Sequence, residues 1–364
     1  MGSLEITKLF KENYKGKSVL ITGNTGFKGS WLAFWLTQLG AKVTGYSSEE
    51  FAHPFHYNLL TPKTPTIYGN ILNKELLLKS VQKIQPDIIF HLAAQSLVRA
   101  SYITPSLTYE TNVIGTLHVL EAASACESVK AFINVTSDKV YENFEWERGY
   151  HEKDILGGYD MYSSSKACSE ILTSSFKRSF LKDKIAIASV RAGNVIGGGD
   201  MAADRLIPDV IRAASNNTST NIRNIKSIRP WQHVLEPLSG YLLVGQKLIE
   251  GRVDLATAWN FGPDDDQCLE VGTILDMMRS AWPRISYISK SVETTMHEAG
   301  ILKLDCSKAK KELKWLPVWN NQKTIEKTVN WYREYYEEGA INTASDLNTF
   351  IADAKAKKLC WTIE

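Results

Sequence analysis

The run Ser18-Val-Leu-Ile-Thr22, followed at once by Gly23-Asn-Thr-Gly26-Phe-Lys-Gly29 and then by an apolar stretch, admits few folds. A β-branched segment of this length reads as a buried strand, and Trp31, Leu32, Phe34, Trp35, Leu36 and Leu39 can cover a helix face that Gly40 ends. Strand, glycine turn and helix in that order make the opening unit of a parallel sheet. The glycines depart from the spacing G-x-G-x-x-G, yet serve the same needs: a tight turn, backbone approach to a pyrophosphate, and a helix packed close on its strand. A dinucleotide held there sets its phosphates against a helix N-terminus. Gly23, Thr25, Gly26, Phe27, Lys28 and Gly29 are therefore candidate cofactor contacts.

The alternation continues along the chain. Lys42-Val-Thr-Gly-Tyr46 reads as the second strand, Glu75 to Ile84 as a helix, and Asp87-Ile-Ile-Phe-His-Leu92 as a fourth strand buried on both faces. A helix from Thr108 to Ala123 leads to strand Ala131-Phe-Ile-Asn-Val135, and a helix from Tyr162 to Phe180 leads to strand Ile185 to Arg191. The expected fold is α/β, a Rossmann-type doubly wound parallel sheet with a smaller C-terminal substrate-binding lobe. After Arg191 the rhythm breaks into Gly197-Gly-Gly199 and short mixed elements. Residues 1–192 with 230–262 are expected to form the dinucleotide-binding domain, and 193–229 with 263–364 the lobe. Beyond about residue 340 a helix and tail carry no legible chemistry.

Composition narrows the partners. With 364 residues, 44% hydrophobic and 23% charged, the chain can bury a large core, and its net charge of +2 is spread through the sequence. No extended cationic face for nucleic acid or anionic lipid is evident, so small molecules are the expected partners. Cysteines at 126, 168, 268, 306 and 360 are too scattered for a zinc site or a disulfide framework, and no metal is expected. The first residues lack the apolar core of a signal peptide, Ile6 occupies the position where a myristoylation signal needs Ser or Thr, and no apolar run reaches membrane-spanning length. The cytoplasm is the expected compartment.

Two features bear on chemistry. On a helix, Tyr162 and Lys166 share one face, so the ammonium is expected to favour the phenolate and lower a tyrosine pKa that starts near ~10. Such a tyrosine can deprotonate an alcohol. At the end of the preceding strand, Thr136-Ser-Asp-Lys139 would face the crevice where doubly wound sheets bind ligands, with Ser137 able to hydrogen-bond a substrate. Asp138 beside Lys139 reads equally as a surface ion pair or as an acid and base. The choice of nicotinamide turns on Tyr46-Ser-Ser-Glu-Glu50, where Glu49 or Glu50 is the acid available for a ribose 2'-hydroxyl. No Arg or Lys follows that strand before Lys63; Lys28 could serve a 2'-phosphate, but NAD is the expected cofactor.

Taken together, TGNTGFKG, HLAAQSLVRASY, TSDKVYEN, GGYDMYSSSK, RAGNVIGGGD, DRLIPD, IRPWQHVLEPLSGY and LKLDCSKA resemble the extended short-chain dehydrogenase/reductases, the NAD-dependent epimerase/dehydratase family, over about residues 10 to 330. More narrowly they look like its CDP-glucose 4,6-dehydratase branch, because Ser137-Asp138-Lys139 stands where the dTDP-glucose dehydratases have Thr-Asp-Glu. The resemblance implies a lyase that takes CDP-glucose to CDP-4-keto-6-deoxyglucose for deoxysugar synthesis, with NAD regenerated in each turnover. By the same resemblance Tyr162 is the base at the 4-hydroxyl, Lys166 holds the nicotinamide ribose, Ser137 holds the hydroxyl, Asp138 donates to the departing 6-hydroxyl, and Lys139 takes the carbon 5 proton. It further implies cofactor contacts at Asn70, Ile71, Ala93, Ala94, Gln95, Asn112 and Thr136. Gln95 and Arg99 would approach the hexose, Asn194, Arg205, Arg229 and Asn260 the diphosphate, Leu206 the substrate, and His233 the nucleotide.

Blander readings stand beside these: Asn260 as a turn cap, Arg229 as a solvated loop residue, and His233 as a packing histidine. Asn70 and Met201 replace an Asp and a Trp common in the family pattern, which bears on the adenine contact and on substrate fit. A dehydratase or epimerase acting on another nucleotide sugar is the alternative function, and a non-catalytic NAD-binding regulator the different-class one. Relatives pair through the helices spanning here about 108–123 and 162–180, so a homodimer or homotetramer is expected.

Overall fold

The β-branched runs become a single parallel sheet. The computed structural model describes residues 3–48, 55–181, 184–289 and 300–363. Its strands are β1 (Ser18–Thr22), β2 (Lys42–Ser47), β3 (Thr66–Tyr68), β4 (Ile88–His91), β5 (Ala131–Val135), β6 (Ala186–Ala192) and β7 (Ala258–Phe261). They lie in the order β7-β6-β5-β4-β1-β2-β3, every neighbour parallel. The order of strand addition reverses between β1 and β4, where Val19 pairs with Ile88 and Thr22 with His91. That reversal opens a crevice at the carboxyl ends of the strands. Apolar residues on both faces of β1, β4 and β5 are fully buried, as a sheet covered on two sides requires.

The helices close over those faces. Against the sheet lie α1 (Phe27–Gln38), α2 (Lys74–Ile84), α3 (Gly115–Ser124), α4 (Met161–Phe176) and α6 (Leu235–Ile249), while α5 (Leu206–Ser215), a helix at Val271–Ala281, α7 (Asn321–Glu338) and α8 (Thr343–Ala356) belong to the rest of the molecule. The helix expected from Thr108 is built in three contiguous pieces, Pro105–Tyr109, a π-turn Glu110–Ile114, and α3; α4 likewise runs into a π-turn, Lys177–Leu181. Asp160 caps α4, its carboxylate accepting from the Ser163 amide at 2.9 Å and from the Ser163 hydroxyl at 2.6 Å. This cap fixes the first turn, and with it Tyr162.

Beyond β6 a short pair, Val195–Ile196 with Gln232–His233, leads away from the sheet, and β7 returns to its edge beside β6. The tail has a structural role that its sequence did not disclose. Trp35 of α1 meets Phe350 of α8 at 5.8 Å and Trp361 at 5.7 Å, both edge-on, and Trp361 stacks on Phe10 at 5.2 Å. The segment assigned to the lobe thus lies against the helix of the glycine turn, because the wide apolar surface of Trp35 and Phe10 must be covered. No helix among the described residues is long and apolar enough to cross a membrane.

Candidate active site

A 790 Å³ cavity lies over the crevice, walled by Gly23 to Gly29 on one side and by the turn after β5 and the start of α4 on the other. The glycine turn is a cradle in which side chains have no room. Gly23 adopts φ +75°, and a Cβ on Gly29 would sit 2.1 Å from the Gly23 carbonyl oxygen. Gly26 precedes α1, so unpaired amides of the first helical turn face the cavity. Thr25 donates to Ser47, at the end of β2, at 2.9 Å. Asn70 and Ile71 line the same end, and Ala93, Ala94 and Gln95 continue the wall beyond β4. These features fit a dinucleotide: bare backbone at the turn, helix amides and Lys28 for the diphosphate, and Ser47, Ser48 and Asn70 beyond β2. Glu49 and Glu50 lie outside the described residues.

Lys28 stands apart from the β2 end. Burial pushes its ammonium down to about 8, Arg205 acts in the same direction, and Asp138 and Asp200 oppose. Its charge therefore faces the middle of the cavity, and a role against a 2'-phosphate is not supported by this placement.

The catalytic candidates meet there. Ser137 caps a short 3₁₀ turn, accepting from the Lys139 amide at 3.2 Å, and its hydroxyl lies 3.0 Å from Asp138. Burial raises the Asp138 carboxyl above the usual carboxylate range, against the pull of Lys139, the Ser137 hydrogen bond, Arg229 and Lys28. Such an acid keeps its proton to a higher pH than a solvated one. Ser137, Asp138, Lys139, Tyr162 and Lys166 all line the cavity, as does Thr136.

The expected effect of Lys166 on Tyr162 is not what the ligand-free protein shows. Burial pushes the Tyr162 phenol up to about 12; the Ser137 hydrogen bond and Arg205 favour the phenolate, and Asp138 and Asp160 oppose it. Lys166 is itself pushed down to about 7 by burial, with Lys28 adding to the fall and Glu170 resisting it, and its ammonium donates to the Val135 carbonyl at 3.4 Å. A group that close to losing its proton is a weak cation for a neighbouring phenol.

On the substrate side, Asn194, Arg205, Leu206 and Arg229 line the cavity. Arg205 pairs with Asp200 at 3.0 Å and reaches Ser96 at 3.3 Å, while Arg229 donates to the carbonyls of Ile228 and Gly300. Gln95 lines it too, but its side-chain amide is engaged with the Leu97 backbone and the Thr108 hydroxyl.

Four candidates are placed elsewhere. Asn112 lies behind the wall, its amide bonded to both backbone groups of Gln95 and to Ser165, so it shapes the strand end instead of touching the cavity. Arg99 sits outside, paired with Asp204 at 3.2 Å. His233 is fully buried between Trp31 and Trp319, 5.9 and 4.9 Å between ring centres, with its Nδ1 facing the Leu235 amide. Asn260 spends its side chain on Tyr141, Tyr150 and Asp305. Asp200 and Trp231, which sequence reading did not single out, do line the cavity; each directly follows a quoted motif position, Gly-Gly before Asp200 and Arg229-Pro before Trp231.

A family profile described as GDP-mannose 4,6 dehydratase matches residues 20–328. The chain belongs to this family. Within the 4,6-dehydratases it is similar to the CDP-glucose 4,6-dehydratase of Salmonella typhimurium, with 46% identity over 333 residues, covering 89% of this chain and 93% of that one. Among solved structures it resembles the dTDP-glucose 4,6-dehydratase DesIV of Streptomyces venezuelae, determined with NAD bound, at TM-score 0.72 and 25% identity over 87% of this chain and 97% of that one. A UDP-glucose 4-epimerase of Thermotoga maritima shares the fold at TM-score 0.75, with 21% identity over 87% and 98% of the two chains.

Proposed function

We propose that this family member dehydrates CDP-glucose to CDP-4-keto-6-deoxyglucose, using NAD that is restored in each turnover. The observation that carries the reading is the meeting, in one cavity, of a tyrosine base with an adjacent acid and lysine, Asp138 and Lys139. An epimerase on this fold has less use for that second pair. The 46% identity to a CDP-glucose 4,6-dehydratase supports the choice of nucleotide.

NAD would be held by the glycine turn, Lys28, Asn70, Ile71, Ala93, Ala94 and Lys166, and when bound would supply a reversible hydride acceptor. The chain's own groups move the protons. Tyr162, in the phenolate form that the Ser137 hydrogen bond and Arg205 favour, takes the proton of the 4-hydroxyl as that carbon is oxidised. The resulting ketone acidifies carbon 5, whose proton passes to Lys139 and returns to that carbon as carbon 6 is reduced. Asp138, whose hold on its proton burial strengthens, gives that proton to the departing 6-hydroxyl, which leaves as water. Arg205 and Arg229, both on the cavity wall, would hold the diphosphate, with Arg205 already steered by Asp200.

Two further readings rest on the surface. Exposed Ile103, Leu107, Ile114, Ile171 and Phe180 on or beside the helical segments around α3 and α4 support pairing of two copies. The cysteines are far apart and form no disulfide among the described residues, which suits a reducing cytoplasm. The function is tested by mass spectrometry of products from CDP-, dTDP-, UDP- and GDP-hexoses incubated with the protein and NAD. Loss of one water from CDP-glucose is the expected result. Loss from another nucleotide alone moves the specificity, and no loss from any overturns the dehydratase reading.

A further inference from the structure

Behind the cavity floor lies a buried ion pair that the reaction described above does not use. Glu170 and Arg191 are only 5% and 2% exposed, and they are joined as a bidentate fork along one guanidinium edge: Nε donates to the carboxylate at 2.7 Å and Nη2 to its other oxygen. Glu170 stands one helical turn after Lys166 on α4, on the same face. Its carboxylate accepts from the Thr136 hydroxyl at 2.6 Å, and Thr136 directly precedes Ser137. Three successive residues at the end of β5 are thereby tied to α4. Asn134 donates to Ser169 and Thr173 at 3.1 and 2.9 Å, the Val135 carbonyl accepts from Lys166, and Thr136 donates to Glu170.

We propose that Glu170 is a positioning residue for catalysis: it registers the strand end bearing Ser137 and Asp138 against the helix bearing Tyr162 and Lys166, and sets a negative charge behind the Lys166 ammonium. The inference rests on the function proposed above. A buried ion pair is weak evidence of stabilisation, since desolvation of both groups offsets their attraction, so its retention at this spot points to a task. The surroundings define that task. Lys166 faces Lys28 from α1 and His91 from β4, shares the cavity wall with Asp138 and Tyr162, and has Glu170 as the carboxylate resisting the loss of its proton. Arg191, from β6, holds the Glu170 carboxylate in place; its Nη1 donates to the Tyr141 hydroxyl at 2.6 Å and to the Glu152 carbonyl at 3.5 Å, and Tyr141 in turn donates to Asn260 at 2.8 Å. The network thus runs from beneath the catalytic lysine to the strand end where Asn260 grips Tyr150 and Asp305.

Glu170→Gln keeps the size and an acceptor oxygen but removes the charge. Loss of that charge leaves Lys166 easier to deprotonate, so the basic limb of the kcat profile should move to lower pH by about one unit, with kcat at pH 8 down about tenfold and KM little changed. The pH dependence of NAD affinity, which needs no sugar substrate, should move the same way. Arg191 left unpaired can unfold the single variant, so the double variant Glu170→Gln with Arg191→Gln, which removes both charges, is measured beside it. The proposal holds if the limb stays displaced in the double variant. It is overturned if a folded single variant keeps the wild-type limb, or if the double variant regains it, since either result leaves Glu170 a purely structural partner of Arg191. Should the wild-type protein release water from no nucleotide sugar, the function reading fails alone, and the NAD-affinity limb still decides the role of Glu170.

Discussion

The two walls of the cavity are made by different means. On the cofactor side, the turn from Gly23 to Gly29 presents backbone, and what matters is the absence of side chains: a single methyl at Gly29 would strike the Gly23 carbonyl. On the opposite side, Ser137, Asp138, Tyr162, Arg205 and Arg229 present side chains drawn from four separate stretches. A wall of backbone is specified by one short segment and tolerates little change in it. A wall of side chains is specified by the whole fold, and each group in it can be removed singly with a distinct chemical consequence.

That contrast can be broken by experiment. Tyr162→Phe should lower kcat by about 10³ to 10⁴, with NAD affinity changed by no more than about threefold; an equal loss in affinity would mean the two walls are not separable. Asp138→Asn should cost about 10² to 10³ in water release while leaving partial reduction of bound NAD visible at 340 nm. Absence of that absorbance would place Asp138 before elimination instead of within it. Gly29→Ala should weaken NAD binding by about 10² in calorimetry, because the start of the helix must shift by an ångström or more; binding within a few-fold of wild type would show that the cradle yields. The smallest effect belongs to a residue of neither wall. His233→Phe should alter KM for the nucleotide sugar by less than about twofold, and a tenfold rise would return His233 to the binding surface.

The same substitution should show in stability. Burial pushes the imidazoles of His56, His91 and His233 each down to about 3. The unfolded chain takes up these protons near ~6.5 and the folded protein does not until about 3, so stability is lost progressively as the pH falls through that window. His233→Phe removes one of these groups, and its unfolding midpoint should fall less steeply with acid than that of the wild type.

The sequence was most informative where physics is local. Strand β1, the glycine turn and α1 follow from a β-branched run, three glycines and an apolar helix face, and β4, β5 and β6 follow from apolar runs of strand length, whereas the short β3 and β7 carry no such run and were not legible. Tyr162 and Lys166 were legible because helical spacing alone puts them on one face. Asn112, Arg99, His233 and Asn260 were assigned by position in a motif, yet a step of one residue along a strand or helix decides between cavity and core, and tertiary packing alone fixes that step. Glu170 was hidden for another reason. A charge in the middle of a helix reads as a solvated face, and only the approach of Arg191 from β6 and Thr136 from β5 shows it to be buried.

The covering of α1 by Phe350 and Trp361 has a consequence for the order of manufacture. A ribosome that has released the glycine turn must still add more than three hundred residues before the aromatic rings that close over the back of its helix exist. At roughly 5–20 residues per second that delay lasts from about fifteen seconds to a minute, during which Trp35 and Phe10 are uncovered. The nascent cleft therefore keeps an apolar back open until Trp361 emerges, and a message cut short before that residue would yield a chain whose nucleotide cradle is complete in sequence but open at its back.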